Sequence, residues 1–171
     1  FLPGAMGINF VKQFVGGGLK DVPLIAPGFS ADEDVIQAVG EPMVGVLNTA
    51  HWTHDLPGEA NAEFVAAFRK KYDGRYPSVY AAMAYDTLMA MDAAVRDAGG
   101  KVDDREAVLK ALKKPSFKSV RGDFVYGANN YPVQNYYLRE VGKDAEGRLT
   151  NKLVGITLEK HQDAYVGACR M

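Results

Sequence analysis

Cysteine is almost missing from this chain: Cys169, near the end, is its only one. A single thiol cannot build a disulfide framework, so Cys169 is either a buried thiol or half of a bridge whose partner lies elsewhere. No neighbour in sequence would activate a thiolate, which argues against cysteine nucleophile chemistry. An excess of one charge is also lacking. Twenty basic and 21 acidic residues, mixed along the chain, leave a net charge of −1. Without a basic field, nucleic acid and anionic membrane surfaces are not expected partners. No apolar run is long enough to cross a bilayer. The opening Phe1-Leu2-Pro3-Gly4 has neither an initiator Met nor a charged leader, and reads as the end of a strand entering a turn. The sequence is therefore expected to be part of a longer protein.

Catalytic signatures are equally scarce. No Gly-x-Ser-x-Gly elbow occurs, and no nucleophile has an evident base. Gly16-Gly17-Gly18 follows a helical pattern, whereas a phosphate cradle follows a strand and opens a helix. His51 and His54, with Asp55, could supply three metal ligands, but Thr53 and Pro57 favour irregular backbone and structural zinc draws on four ligands. The acidic run Asp32-Glu33-Asp34 falls in the first turn of a helix, where the dipole accounts for negative charge. No metal, no cofactor and no enzymatic activity are expected. A hydrolase using His51 or His54 with Asp55 is the weakest alternative.

What is present is a good core former: 47% of the 171 residues are hydrophobic. Ile8, Phe10, Val11, Phe14 and Val15 mark one helical face, stopped by the three glycines. Val22 to Ala26 reads as a short buried strand, and Ser30 to Glu33 spells a capping box with Ser30 as N-cap, opening a helix through Val35, Ile36 and Val39. Gly45 to Ala50 is the third strand of an alternation that predicts an α/β fold with a parallel sheet. The polar stretch 51–58 suits a crossover between two bodies. An amphipathic helix follows over 59–72, with Phe64, Val65 and Phe68 inward. A long helix from Ser78 to about Asp97 places Tyr80, Met83, Ala84, Leu88, Met91 and Val95 on one apolar face, predicted to be core. Asp103 then caps a short helix. Strands are predicted over 121–126, 133–141 and 149–158, the last two as a hairpin.

Ligands of open α/β sheets settle outside the carboxyl ends of the strands. Two glycine-marked loops lie there, Pro3-Gly4-Ala5-Met6-Gly7 and Pro27-Gly28-Phe29-Ser30. Met6 and Phe29 offer apolar walls and the following helix starts offer backbone amides, a lining suited to an apolar or aromatic body with one anionic end.

These loops, together with Gly45-Val46-Leu47 and above all Tyr76-Pro77-Ser78-Val79-Tyr80-Ala81-Ala82-Met83-Ala84-Tyr85-Asp86, resemble the type I periplasmic solute-binding proteins of the branched-chain amino acid class of ABC transporters. The pattern covers nearly all of the chain but corresponds to the C-terminal half or so of such a protein. The resemblance implies two three-layer α/β lobes, with mainly parallel sheets, joined by a hinge and closing on a ligand. Residues 1–50 would belong to the second lobe, 51–131 to the returning part of the first, and 132–171 to the second again. It implies a periplasmic protein, a small-molecule ligand, membrane permease subunits as partners, and an N-terminal part that carries the export signal.

Amino-acid-binding relatives place an acidic residue where this chain has Gly28, and tend to place a tyrosine in the loop matching Pro3 to Met6, which has none. An ammonium buried without a counter-charge is costly. The favoured ligand is therefore an aromatic carboxylate, such as a benzoate or phenylpropanoid. A branched-chain or other hydrophobic amino acid, and a sensing rather than a transporting role, remain open. The candidate ligand-binding residues are Ala5, Met6, Gly28, Phe29, Ser30 and His51.

Overall fold

A computed structural model describes residues 2–170. The strand expected at Phe1 lies outside them. Five helices, α1 (Ala5–Phe14), α2 (Glu33–Val39), α3 (Glu59–Lys71), α4 (Val79–Asp97) and α5 (Arg105–Leu112), accompany five strands: β1 (Ile25–Pro27), β2 (Leu47–Ala50), β3 (Val125–Tyr126), β4 (Pro132–Lys143) and β5 (Leu149–His161). The sheet runs β1-β2-β4-β3, with β5 also on β4. β1 and β2 pair in parallel, as the alternation predicts, and the long hairpin arms β4 and β5 are antiparallel. β4 is also antiparallel to β2, with Asn48 opposite Arg139. Among the described residues no helix is long and apolar enough to cross a membrane.

Two apolar clusters result. One gathers Val11, Val35, Ile36, Met43, Val46 and Val141 between α1, α2 and the sheet. The other gathers Trp52, Leu56, Phe64, Val79, Ala82, Val120 and Tyr137.

Several elements depart from the sequence reading. The helix expected to stop at Gly16 continues as a π-helical turn over Val15–Leu19, and leaves it at Gly18, whose φ is 81°. The capping box does not form: Asp32 occupies the N-cap position of α2, with no side-chain cap bond, while the Ser30 hydroxyl donates to the Leu2 carbonyl. Glu33 does not reach back either, because its carboxylate accepts from Thr150 Oγ1 and the Asn151 amide of β5. The cap of α5 is Asp104 rather than Asp103, its carboxylate accepting from Ala107 N. The strand expected over 121–126 shrinks to Val125–Tyr126 because the chain before it is drawn to Asp86, which accepts from Val120 N and from Ser119 and Arg121.

The largest correction concerns α4. Ser78 caps it as expected, accepting from Ala81 N at 3.2 Å. The buried side of the helix, however, is Val79, Ala82, Asp86, Ala90, Ala93 and Ala94. The large residues predicted to be core face outward, Leu88 at 66% and Met91 at 52% exposure, with Tyr80 and Met83 also exposed. The described residues pack α4 through its small side chains and through the buried Asp86–Arg121 pair at 3.0 Å.

Candidate functional site

The carboxyl ends of β1 and β2 place Gly28, Thr49, Ala50 and His51 side by side, and the first two turns of α4 face them with Val79, Tyr80 and Met83. Phe29, Asp32 and Tyr136 complete a cleft of about 230 Å³. Three sequence-predicted residues, Gly28, Phe29 and His51, thus line one cleft. Ala5 and Met6 lie at the exposed start of α1 and are not in its lining, and Ser30 is buried on the Leu2 carbonyl. Asp32, Thr49, Ala50, Val79, Tyr80, Met83 and Tyr136 were not picked out. Strand register could have flagged Tyr136, but Asp32 and the start of α4 meet across 47 residues, a pairing that no local pattern encodes.

Gly28 owes its identity to backbone crowding. A β-carbon there would stand 2.5 Å from the Thr49 carbonyl oxygen and 3.1 Å from Ala50 Cβ. Its missing side chain is therefore accounted for by the closeness of the β2 end rather than by room for a ligand. Behind it lies Arg139, which is 1% exposed. Its guanidinium donates to Asn48 Oδ1 at 2.8 Å and, at longer range, to the carbonyls of Trp52 and Gly28. Nη1 lies 3.7 Å from Asp32 Oδ1. Both Asp32 oxygens also accept from Val79 N, at 2.9 and 3.3 Å. Burial pushes the Asp32 carboxyl up to about 6, against the opposing pull of Arg139 and the Val79 bond. Burial likewise raises Glu33 to about 7, with Asn151 pulling the other way. The acidic run at 32–34 is thus not a dipole decoration: two of its three members are buried hubs.

The histidines have separate environments. His51 sits edge-on to Tyr136, with centroids 6.3 Å apart. Burial, then Arg121 and Arg139, hold its pKa down near 4, so the imidazole is neutral at pH 7. It is a neutral polar group in an otherwise largely apolar wall. His54 stacks on Tyr76 and lies 2.8 Å from the Asn151 carbonyl through Nε2. A carbonyl oxygen only accepts, so Nε2 carries the proton. Burial lowers this pKa also. Asp55 spends its carboxylate on Thr53 Oγ1 and Leu153 N, and among the described residues it makes no hydrogen bond to His51 or His54. A larger cavity of about 370 Å³ lies between Lys113 and Tyr126, lined by Phe117, Phe124 and lysines, and shares no lining residue with this cleft. Cys169 is an exposed free thiol.

Residues 1–146 match the sequence profile of a family described as periplasmic binding protein. A Leu/Ile/Val-binding protein homolog 6 from Brucella melitensis is 36% identical over 173 residues, covering 95% of this chain and 43% of that protein. Among solved structures, an ABC transporter solute-binding protein from R. palustris in complex with benzoate superposes with a TM-score of 0.86 at 33% identity, covering 100% of this chain and 45% of that one. A solute-binding protein from Rhodopseudomonas palustris BisB5, in complex with 3,4-dihydroxybenzoic acid, gives 0.82 at 31% identity, covering 96% and 45%. The chain thus spans less than half the length of the relatives it matches.

Proposed function

Because the chain belongs to the periplasmic binding protein family, we propose that it is part of the solute-capturing component of an ABC importer, taking an aromatic carboxylate between two lobes. The fold is that of the type I periplasmic binding proteins. Residues 1–50 and 132–171 would form the second lobe and 51–131 the returning part of the first. The two apolar clusters divide along nearly that line. The whole protein would work in the periplasm, beside membrane permease subunits.

The observation that carries the ligand class is the make-up of the cleft wall. Phe29, Tyr80, Met83 and Tyr136 supply aromatic and polarisable surface, and His51 supplies a neutral donor or acceptor. Its one carboxylate, Asp32, is already engaged by Val79 N and Arg139. Gly28 has no space for an acidic side chain without a backbone shift. Among the described residues this wall offers an ammonium no carboxylate that is not already engaged, whereas an aromatic ring has a fitting surface. The relatives solved with benzoate and 3,4-dihydroxybenzoic acid support this reading. The name of the Brucella relative favours the alternative, a branched-chain amino acid. At about 230 Å³ the cleft falls below the ~300–1,000 Å³ of most small-molecule pockets, consistent with one wall of a two-sided site.

Titration calorimetry and thermal melts of the full-length protein with benzoate, 4-hydroxybenzoate, 3,4-dihydroxybenzoate, leucine and valine test the reading. An aromatic acid at about a hundred times its Kd should stabilise the protein by roughly 3 kcal/mol. Binding of leucine or valine, with no response to any aromatic acid, would overturn it.

A further inference from the structure

We propose that Asp32 is a positioning residue of the ligand cleft: its carboxylate clasps the first turn of α4 to the sheet body and so sets where Val79, Tyr80 and Met83 stand opposite Gly28, His51 and Tyr136. The inference rests on the cleft reading above and adds a part to it. Asp32 is 2% exposed, itself lines the cleft, and takes both its oxygens to the Val79 amide. The amide of Ala81, two residues on, is held by the local N-cap Ser78, whereas the Val79 amide is held by Asp32, which arrives from outside α4. Behind it, Arg139 is fixed by Asn48 and by the Gly28 and Trp52 carbonyls. Asn48 in turn accepts no slack, because its amide donates to Asn151 Oδ1, and Asn151 is bound to Glu33 and the Ala31 carbonyl. One continuous polar chain therefore links the start of α4 to the strands that carry the opposite wall.

The arrangement has a consequence for ligand choice. The charge of Asp32 is balanced by the positive end of a 19-residue helix and by a buried guanidinium. A carboxylate in the cleft wall then does not repel an anionic ligand, and an incoming ammonium would have to displace partners already in place.

Amide hydrogen exchange on the full chain tests the clasp without reference to any ligand. Asp32→Ala should speed exchange at Val79 by about 10-fold or more, while protection in the α4 interior at Ala90 to Ala94 stays unchanged, and Asp32→Asn, which keeps an acceptor, should restore most of the protection. Unchanged exchange at Val79 in Asp32→Ala, or equal acceleration in Asp32→Asn, would overturn the proposal. Should Asp32→Ala fail to fold, Asp32→Ser against Asp32→Asn gives the same comparison, since the serine hydroxyl is too short to span the gap. Benzoate titration of the full-length protein adds the second readout: affinity should fall about 10-fold in Asp32→Ala and recover in Asp32→Asn. If the parent protein binds no benzoate, the aromatic-acid reading fails while the exchange result still decides the clasp.

Discussion

Glu33 carries an unusual load for a residue in the first turn of a short helix. Its carboxylate binds Thr150 Oγ1 and both the amide and the side chain of Asn151, joining α2 to β5 from a position that is 4% exposed. Burial raises its pKa from 4.5 to about 7. The folded state therefore holds a proton more tightly than the unfolded chain between those values, and stability from this group is full below pH 4.5 and lost as pH rises to about 7. His51 acts in the opposite sense, since its pKa near 4 makes the folded state gain stability as pH rises from 4 to 6.5. Asp32, raised to about 6, acts in the same sense as Glu33, so Glu33→Gln removes one of two groups that oppose the histidine, and between pH 4.5 and 7 the slope of melting temperature against pH should be more positive in the variant than in the parent. Parallel slopes in melts taken at half-unit steps would show that Glu33 does not titrate there. At Gly28 the expectation is steric. Gly28→Ala puts a methyl 2.5 Å from a carbonyl oxygen and should cost roughly 1–3 kcal/mol in urea unfolding. Neither role was legible in sequence. Ser-x-x-Glu matches a helix cap, and a glycine after proline matches an open loop, because local spacing says nothing about the strand that lies across from them.

At the scale of elements, most patterns that depend on a residue's own neighbours were readable, though not the stop at Gly16 or the Asp103 cap, and those that depend on distant side-chain partners were not. The stretch 59–71, the Ser78 cap and the β4–β5 hairpin all follow from periodicity and capping chemistry. The strand expected over 121–126 was cut back to Val125–Tyr126 by Asp86, some 35 residues away. The connector 51–58 shows how irregular backbone is held without a ladder. Asn61, in the first turn of α3, accepts from Trp52 Nε1 at 2.8 Å and donates to the carbonyls of His54 and Leu56. Trp52 is 1% exposed, so its indole N–H has no access to water. Asn61→Ala should leave that donor and two carbonyls short of partners, at a cost of about 1–3 kcal/mol, with a shift in the fluorescence of the only tryptophan. An unshifted spectrum with unchanged stability would mean that the connector is held by packing alone.

At the scale of the whole molecule, the face of α4 is what this chain leaves unsolved. Beyond the cleft residues Tyr80 and Met83, Leu88 and Met91 continue an apolar stripe that the described residues do not cover, and Ile25 on the edge strand β1 is 71% exposed. A sheet edge and a large apolar stripe on one body both favour association. Relatives that match the chain are more than twice its length, and the proposed occupant of the stripe is the rest of the family's first lobe. On that proposal the apolar periodicity of α4 would mark a face that the described residues leave exposed and the rest of the family's first lobe would bury. The isolated chain should consequently self-associate, and Leu88→Lys with Met91→Glu should reduce the association while leaving the buried alanine side of the helix intact. Size-exclusion chromatography with light scattering decides the matter. A folded, monodisperse monomer for the unsubstituted chain across a range of concentrations would show that the stripe needs no cover. Association that persists undiminished in the double variant would move the sticky surface from α4 to the edge at β1.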